Sequence, residues 1–314
     1  MRKRLKAAVK GALRSVALRL PLGARRTLLD TMVEDFGRGV VLRDLGRSFG
    51  VRSLSVAGEY GTIHGSGDDQ IIFRRYLETK CWAPELVAMF RSFFDVHGGG
   101  TYLDIGANIG LTTVPVAQSA TVTCYAFEPE PGNLYYLRRN VAENCHHGNV
   151  SVVPVALFDR QATLQFAISK ENFGDHRIQT AGDGAFREGS WPMIDVQAER
   201  LDQVIDVTAV ARPLAVKIDT QGAEPAIFAG GRNVLAAADL IALEFCPYMM
   251  KRQGGDIEAE IGFLESNFRE GSIVRGDTGA APVWWPMARL AGELRRLGAE
   301  ASVGTAYFDV VVRK

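Results

Sequence analysis

Two acids, Asp104 and Glu128, flank a glycine turn in TYLDIGANIGLTTVPVAQSATVTCYAFE (residues 101–128). The stretch reads as strand, turn, helix, strand and then a carboxylate. Strand formers end at Asp104, the turn Gly106-Ala107-Asn108-Ile109-Gly110 follows, and Leu111 to Gln118 has the pattern of a helix laid against a sheet. In doubly wound folds a ligand sits beyond the carboxyl ends of the strands, and an acid closing the second strand can accept both hydroxyl hydrogens of a ribose. Glu128 stands in that place, so a nucleoside pocket is expected, built from Asp104, Gly106, Asn108, Gly110 and Glu128.

The turn also narrows the nucleoside. A dinucleotide loop is written G-x-G-x-x-G, and its middle glycine lets backbone N–H groups approach a pyrophosphate. Here Asn108 replaces that glycine, and the charge of Asp104 would oppose a phosphate at the helix N-terminus. S-adenosylmethionine, with a ribose, an ammonium, a sulfonium and no phosphate, fits better. A plain strand-to-helix turn capped by Asp104 is the simpler alternative, but it leaves Glu128 unexplained.

DIGANIG (residues 104–110), AFEPEPGNLYYLRRN (residues 126–140) and VKIDTQGAEPAIFAGG (residues 216–231) resemble the three hallmark segments of FkbM-type S-adenosylmethionine-dependent methyltransferases. The first segment is shared by many methyltransferases, whereas KIDTQGAE (residues 217–224) is more particular to this family. The resemblance implies a Rossmann-like α/β fold, with a mostly parallel seven-stranded sheet, an antiparallel edge and helices on both faces. It also implies O-methylation, commonly of a sugar or polyketide hydroxyl.

Methyl transfer to an alcohol requires alignment, exclusion of water and removal of one proton. Three places offer a base. His176 lies in the polar loop SKENFGDHR (residues 169–177), where Asp175 or Glu171 could orient it and where its titration would fall near neutrality. Asp219 ends the fourth core strand, at the ligand-bearing edge; its competing role is to cap the next helix, with Gln221 and Glu224 nearby. Glu244, on the fifth strand, needs either a partner or a task, because an unpaired buried carboxylate is costly. His176 and Asp219 are the expected catalytic residues. These groups come from separate elements without ligand spacing, so no metal site is expected. Adenine contacts are expected from the chain after the third strand, with Leu157 as an apolar wall and Asp159 toward the exocyclic amine.

Strands and helices that alternate from Thr101 onward demand a parallel sheet with right-handed crossovers. A helix from Pro84 leads into it, and strands near residues 122–127, 150–155, 214–218 and 240–245 follow. Residues 271–275 and 306–312 supply the antiparallel edge, with the segment 283–297 inserted over it. Three divisions result: a basic amphipathic segment over residues 1–35, an extension over 36–82 holding short strands or a loop, and a methyltransferase domain over 83–314.

Lys+Arg and Asp+Glu balance at 36 each, which gives no sign of a nucleic-acid binder. The balance is uneven along the chain, because no acid precedes Asp30. Leu5, Val9, Leu13, Val16 and Leu20 share one helical face, with Lys3, Lys6, Lys10 and Arg14 opposite. Such a helix can lie on an anionic membrane surface; a solvated helix, a disordered arm or an organelle transit peptide are the other readings. No apolar run is long enough to span a bilayer. Cys81, Cys124, Cys145 and Cys246 show no metal or disulfide spacing, which fits a reducing compartment. The expectation is a cytoplasmic enzyme, with peripheral membrane contact through residues 1–26, acting on a small-molecule or glycan acceptor. A nicotinamide-dependent oxidoreductase, and an inactive fold serving as a membrane-associated binding module, are the alternatives.

Overall fold

The computed structural model describes residues 19–21, 23–24, 52–179, 188–274, 282–300 and 306–314. Nearly all of the basic amphipathic segment expected over residues 1–26 lies outside the described residues. The chain divides after Trp82 into two compact units, the first of which also takes in Lys170–Gly174.

In the first unit, β1 (Ser53–Gly58) and β2 (Gly61–Ser66) form an antiparallel hairpin, followed by α1 (Ile72–Thr79). Asp69 starts that helix by accepting the N–H groups of Ile71, Ile72 and Phe73, which would otherwise be orphaned at a helix N-terminus. The same carboxylate accepts the N–H of Phe173 in the Lys170–Gly174 segment.

The second unit begins with α2 (Pro84–His97), with Pro84 in its first turn and Gly98 in the left-handed region at its end. Then come β3 (Gly100–Ile105), α3 (Thr113–Ala117), β4 (Val122–Phe127), α4 (Pro131–Asn144) and β5 (Val150–Val153). A four-strand insertion follows, made of β6 (Ala156–Leu157), β7 (Ala162–Ala167), β8 (Arg177–Ile178) and β9 (Met193–Glu199). The chain returns through α5 (Leu201–Val204), β10 (Leu214–Ile218), α6 (Glu224–Gly230), α7 (Arg232–Ala237) and β11 (Leu240–Phe245). It closes with α8 (Pro247–Arg252), α9 (Ile257–Asn267), β12 (Glu270–Val274), β13 (Trp285–Pro286), α10 (Met287–Glu300) and β14 (Phe308–Arg313).

The main sheet has the order β13-β12-β14-β11-β10-β3-β4-β5. Neighbours from β11 to β5 are parallel, and β14 runs antiparallel to both β11 and β12. This is a Rossmann-like α/β fold. At the expected edge β14 is reversed, β12 keeps the direction of the parallel strands, and β13 is reversed again. The short β13 then adds an eighth strand, and its Pro286 is tolerated because an outermost strand needs no further donor. Alternating residues feed two cores. Leu103, Ile105, Val216, Ile218, Ile241 and Leu243 face α6, α7, α9 and α10. Tyr102, Cys124, Ala215 and Ala242 face α2 and α3. Segment 283–297 is therefore no loose insertion, since Met287, Leu290, Ala291 and Leu294 of α10 belong to the larger core. No helix among the described residues is long and apolar enough to cross a membrane.

Candidate active site

The carboxyl ends of β3, β4, β10 and β11 meet on one edge of the sheet, and the turn after β3 is its centre. Gly106, Asn108 and Gly110 have φ of 78°, 53° and 88°, so the chain turns through three left-handed residues. Glycine is required at Gly106, where a Cβ would lie 1.9 Å from the carbonyl oxygen of Asp219. Every N–H of the turn has a protein acceptor. Those of Gly106 and Ala107 go to Phe127 O at 3.1 and 2.9 Å, and that of Gly110 goes to Ala107 O at 2.8 Å. Ile109 N–H bonds Asn108 Oδ1 at 2.8 Å, and Asn108 N–H bonds Glu128 Oε2 at 2.9 Å.

Glu128 thus holds the turn as well as ending β4. Its other oxygen accepts Glu130 N–H at 2.8 Å, and Glu130 in turn caps α4 through Asn133 N–H. Burial, at 5% exposure, pushes the Glu128 carboxyl up to about 8, against the opposing pull of the two N–H bonds and of Lys217. A carboxylate offers about four lone-pair sites, so the two bonds leave acceptor capacity for a vicinal diol.

Asp104 is differently employed. It is 0% exposed, and Thr112 and Thr113 each donate a hydroxyl hydrogen to its Oδ2 at 2.6 Å. Lys217 Nζ lies 3.3 Å from Oδ1, with Lys217 and Asp104 opposite each other in the β10–β3 ladder. The carboxylate expected to face a ligand is committed within the protein and shapes the turn from beneath. The helix expected from Leu111 starts instead at Thr113, with the Thr112 donor to Asp104 just before it.

Lys217 was not singled out from sequence. Its Nζ donates to Gly106 O at 2.9 Å and lies 3.7 Å from Asp219 Oδ2, so one ammonium ties the turn to the end of β10. Burial alone would push it down, but the charges of Asp104 and Asp219 outweigh burial and the net shift is upward. The readable signal is a lysine inside the buried run LAVKI, because a buried ammonium needs an acidic partner.

Asp219 follows Ile218 at the strand end and its side chain is 42% exposed. It does not cap the next helix; Glu224 folds back instead to accept the N–H and hydroxyl hydrogens of Thr220. Gln221 Nε2 donates to Asp219 Oδ1 at 3.2 Å and to Glu244 Oε2 at 2.9 Å, so the structure brings Asp219 and Glu244 together. Burial holds the Glu244 carboxyl well above its usual range, and Asp219, Glu224 and Asp309 push it the same way while Lys217 opposes them.

His176 departs from its expected role. It is 7% exposed rather than loop-exposed, burial pushes it down to about 4, and its Nδ1 accepts Ser169 N–H at 3.0 Å. A neutral ring accepting at Nδ1 carries its hydrogen on Nε2, so neither nitrogen is free to take a proton. Asp175 does not orient it, being paired with Arg177. Glu171 belongs to the first unit, where its carbonyl accepts Gln70 N–H. Leu157 and Asp159 also sit differently from expectation. Leu157 is in β6 of the small sheet and packs in the larger core with Phe127, while the Asp159 carboxylate pairs with Arg160 at 2.8 Å. Among the described residues no group of three His, Cys, Asp or Glu is arranged to hold a metal ion.

The sequence matches the Methyltransferase FkbM domain over residues 104–270, more than half of the chain. No curated protein matches it. Among solved structures it is similar to a precorrin-6y C5,15-methyltransferase from Geobacter metallireducens, at 11% identity and a TM-score of 0.34, covering 73% of this chain and 89% of the other. It is also similar to TYW2 of M. jannaschii in complex with AdoMet, at 13% identity and a TM-score of 0.40, covering 83% and 85%. A third is a putative tRNA (m1A22) methyltransferase of Streptococcus pneumoniae in complex with S-adenosyl-L-methionine, at 12% identity and a TM-score of 0.37, covering 74% and 71%.

Proposed function

The chain belongs to the FkbM methyltransferase family, which uses S-adenosylmethionine, and we propose that it methylates a hydroxyl group of a sugar, glycan or polyketide-type acceptor. The observation that carries the cofactor half of this reading is the turn at Gly106–Gly110: all its N–H groups are spent inside the protein, and none remains for a pyrophosphate. The donor set suits a phosphate-free nucleoside. Glu128 would take the ribose hydroxyls on its remaining lone pairs, with Gly106, Asn108 and Gly110 fixing the backbone around it. Asp104 would act through the turn it braces.

When bound, S-adenosylmethionine supplies a methyl group on a positively charged sulfur, from which an oxygen nucleophile can displace it. The chain's own task is to align that nucleophile and take its proton. Asp219 is the base in this reading: it is partly open, lies beside the turn, and is ion-paired with Lys217. An alcohol must lose its proton as its bond forms, so a positioned carboxylate favours a hydroxyl acceptor. Titration calorimetry with S-adenosylmethionine and with NAD tests the cofactor; binding of NAD alone would sink the reading. Mass spectrometry of metabolites and cell-envelope glycans, with and without the protein, should find a methyl-sized shift on an oxygen. With that acceptor, Asp219→Asn should lower single-turnover methyl transfer by roughly 100- to 10,000-fold while cofactor affinity stays within about twofold.

A further inference from the structure

The turn after β10 aims one side chain that the reading above leaves without a task. Gln221 has φ of 57°, a left-handed backbone that residues other than glycine adopt infrequently, and Gly222 beside it has φ of 105°. A Cβ on Gly222 would meet the backbone of Met249 at 2.9 Å, so the chain here is pressed against α8. Gln253 Nε2 holds the Gln221 carbonyl at 2.9 Å. These constraints direct the Gln221 amide to the ends of two neighbouring strands. Its nitrogen carries two hydrogens and no lone pair. One goes to Asp219 Oδ1 at 3.2 Å and the other to Glu244 Oε2 at 2.9 Å.

We propose that Gln221 is the positioning residue of the methyl-transfer site, fixing Asp219 through Oδ1 so that Oδ2 is the oxygen that receives the acceptor's proton. The proposal rests on Asp219 being the base. Among the described residues the ion-pair partner of Oδ2 is Lys217 Nζ, at 3.7 Å, and the Asp219 side chain is 42% exposed. In the transfer the proton would leave the acceptor oxygen for Oδ2, the pair left on the oxygen would form its bond to the methyl carbon, and the carbon–sulfur pair would depart on the sulfur, which becomes a neutral thioether.

The amide also separates like charges. The groups that act electrostatically with Asp219 are Lys217 on its own strand, Glu244 on β11, Asp309 on β14 and Glu224 on α6. Only Lys217 among them is a cation. Without the Gln221 hydrogen bonds, the ionised form of Asp219 loses a donor and faces Glu244 directly, so its proton affinity rises.

The test is a carboxyl NMR titration of the full chain labelled with ¹³C at Asp and Glu side-chain carboxyls, the Asp219 signal being assigned by its loss in Asp219→Asn. Gln221→Ala should raise the Asp219 midpoint by about one pH unit, and Gln221→Glu should raise it further. Calorimetric Kd for S-adenosylhomocysteine should stay within about twofold in both variants, because Gln221 lies outside the nucleoside pocket. Gln221→Met keeps the volume without the donors and takes the place of Gln221→Ala should that variant unfold. A residue of merely structural weight would lower thermal stability and leave the midpoint where it is. An unmoved midpoint in folded Gln221→Ala or Gln221→Met overturns the assignment of Gln221 and leaves Asp219 as base. Full methyl transfer by Asp219→Asn, with the acceptor found by mass spectrometry, removes the base and with it the role of Gln221.

Discussion

The turn after β3 and the acids at the ends of β10 and β11 are joined by the ladder bond from Asp219 N–H to Ile105 O at 3.0 Å and by the Lys217 ammonium, yet they follow opposite rules. In the turn each N–H has an acceptor, and its bracing acid is wholly buried with two hydroxyls and an ammonium. At the neighbouring strand ends, Asp219, Glu244 and Asp309 crowd around one lysine and one amide, with Asp219 open to solvent. A site that must keep one shape closes its polar groups on one another. At the strand ends burial and the neighbouring acids instead hold Glu244 and Asp309 above their usual range.

The largest effect should come from breaking the closed region. Asp104→Ala leaves a buried ammonium with its main partner gone and two hydroxyls without their acceptor, which should cost about 3–5 kcal/mol of folding stability. Asp219→Asn, at a partly exposed position, should change stability by no more than about 0.5 kcal/mol. Urea denaturation of both variants measures the contrast. Equal losses would mean that the two regions are built alike.

Glu128 stands on the border between the two, buried like Asp104 but with lone pairs to spare. Glu128→Ala should weaken S-adenosylmethionine binding by about 1.5–3 kcal/mol, roughly ten- to a hundredfold. The sign of the pH effect follows from its carboxyl being pushed up to about 8 by burial. Ribose hydroxyls donate to the charged form, so below that pH binding must first release the proton. Affinity should therefore rise with pH, by up to about tenfold per unit between pH 6 and 8, and level off above. Glu128→Gln should flatten the profile. An affinity independent of pH in the parent protein would show that Glu128 meets no ribose as a carboxylate.

This contrast between regions also marks what sequence could and could not reveal. The parallel sheet followed from alternation, and the strand ends carrying Asp104, Glu128 and Asp219 were legible because each interrupts an apolar run at its carboxyl end. The direction in which a side chain is committed was not legible. Asp104 looks the same in sequence whether it faces a ligand or Lys217, and only the β3–β10 register separates the two. His176 misled for a related reason: SKENFGDHR has the composition of an exposed loop, whereas the ring is buried and accepts Ser169 N–H from the start of the same segment. Of the small sheet, β6 and β8 escaped because they have two residues each, too few to show a period. Gln221 escaped because a left-handed glutamine between Thr220 and Gly222 leaves no propensity signal.

The smallest effect, and the finest probe of the open region, is expected at Asp309. It faces Glu244 across the β11–β14 ladder, and burial, helped by the charge of Asp219, pushes its carboxyl up to about 6. Because this folded value lies above the ordinary one, its contribution to stability is fully present below about pH 4 and is lost as pH rises through about 6. Asp309→Asn carries no charge at any pH and should gain on the parent protein over that window, with the difference level on either side. Removing one negative neighbour should also ease ionisation of Glu244, lowering its midpoint by less than about one pH unit. The closed region supplies the control: Thr113→Val deletes one hydroxyl bond to Asp104 and should cost about 1 kcal/mol at every pH from 5 to 8. Stability curves for the two variants against the parent, taken across that range, decide the matter. A pH-independent difference at Asp309 would show that the acids at the strand ends are not coupled and that the open region is as settled as the turn.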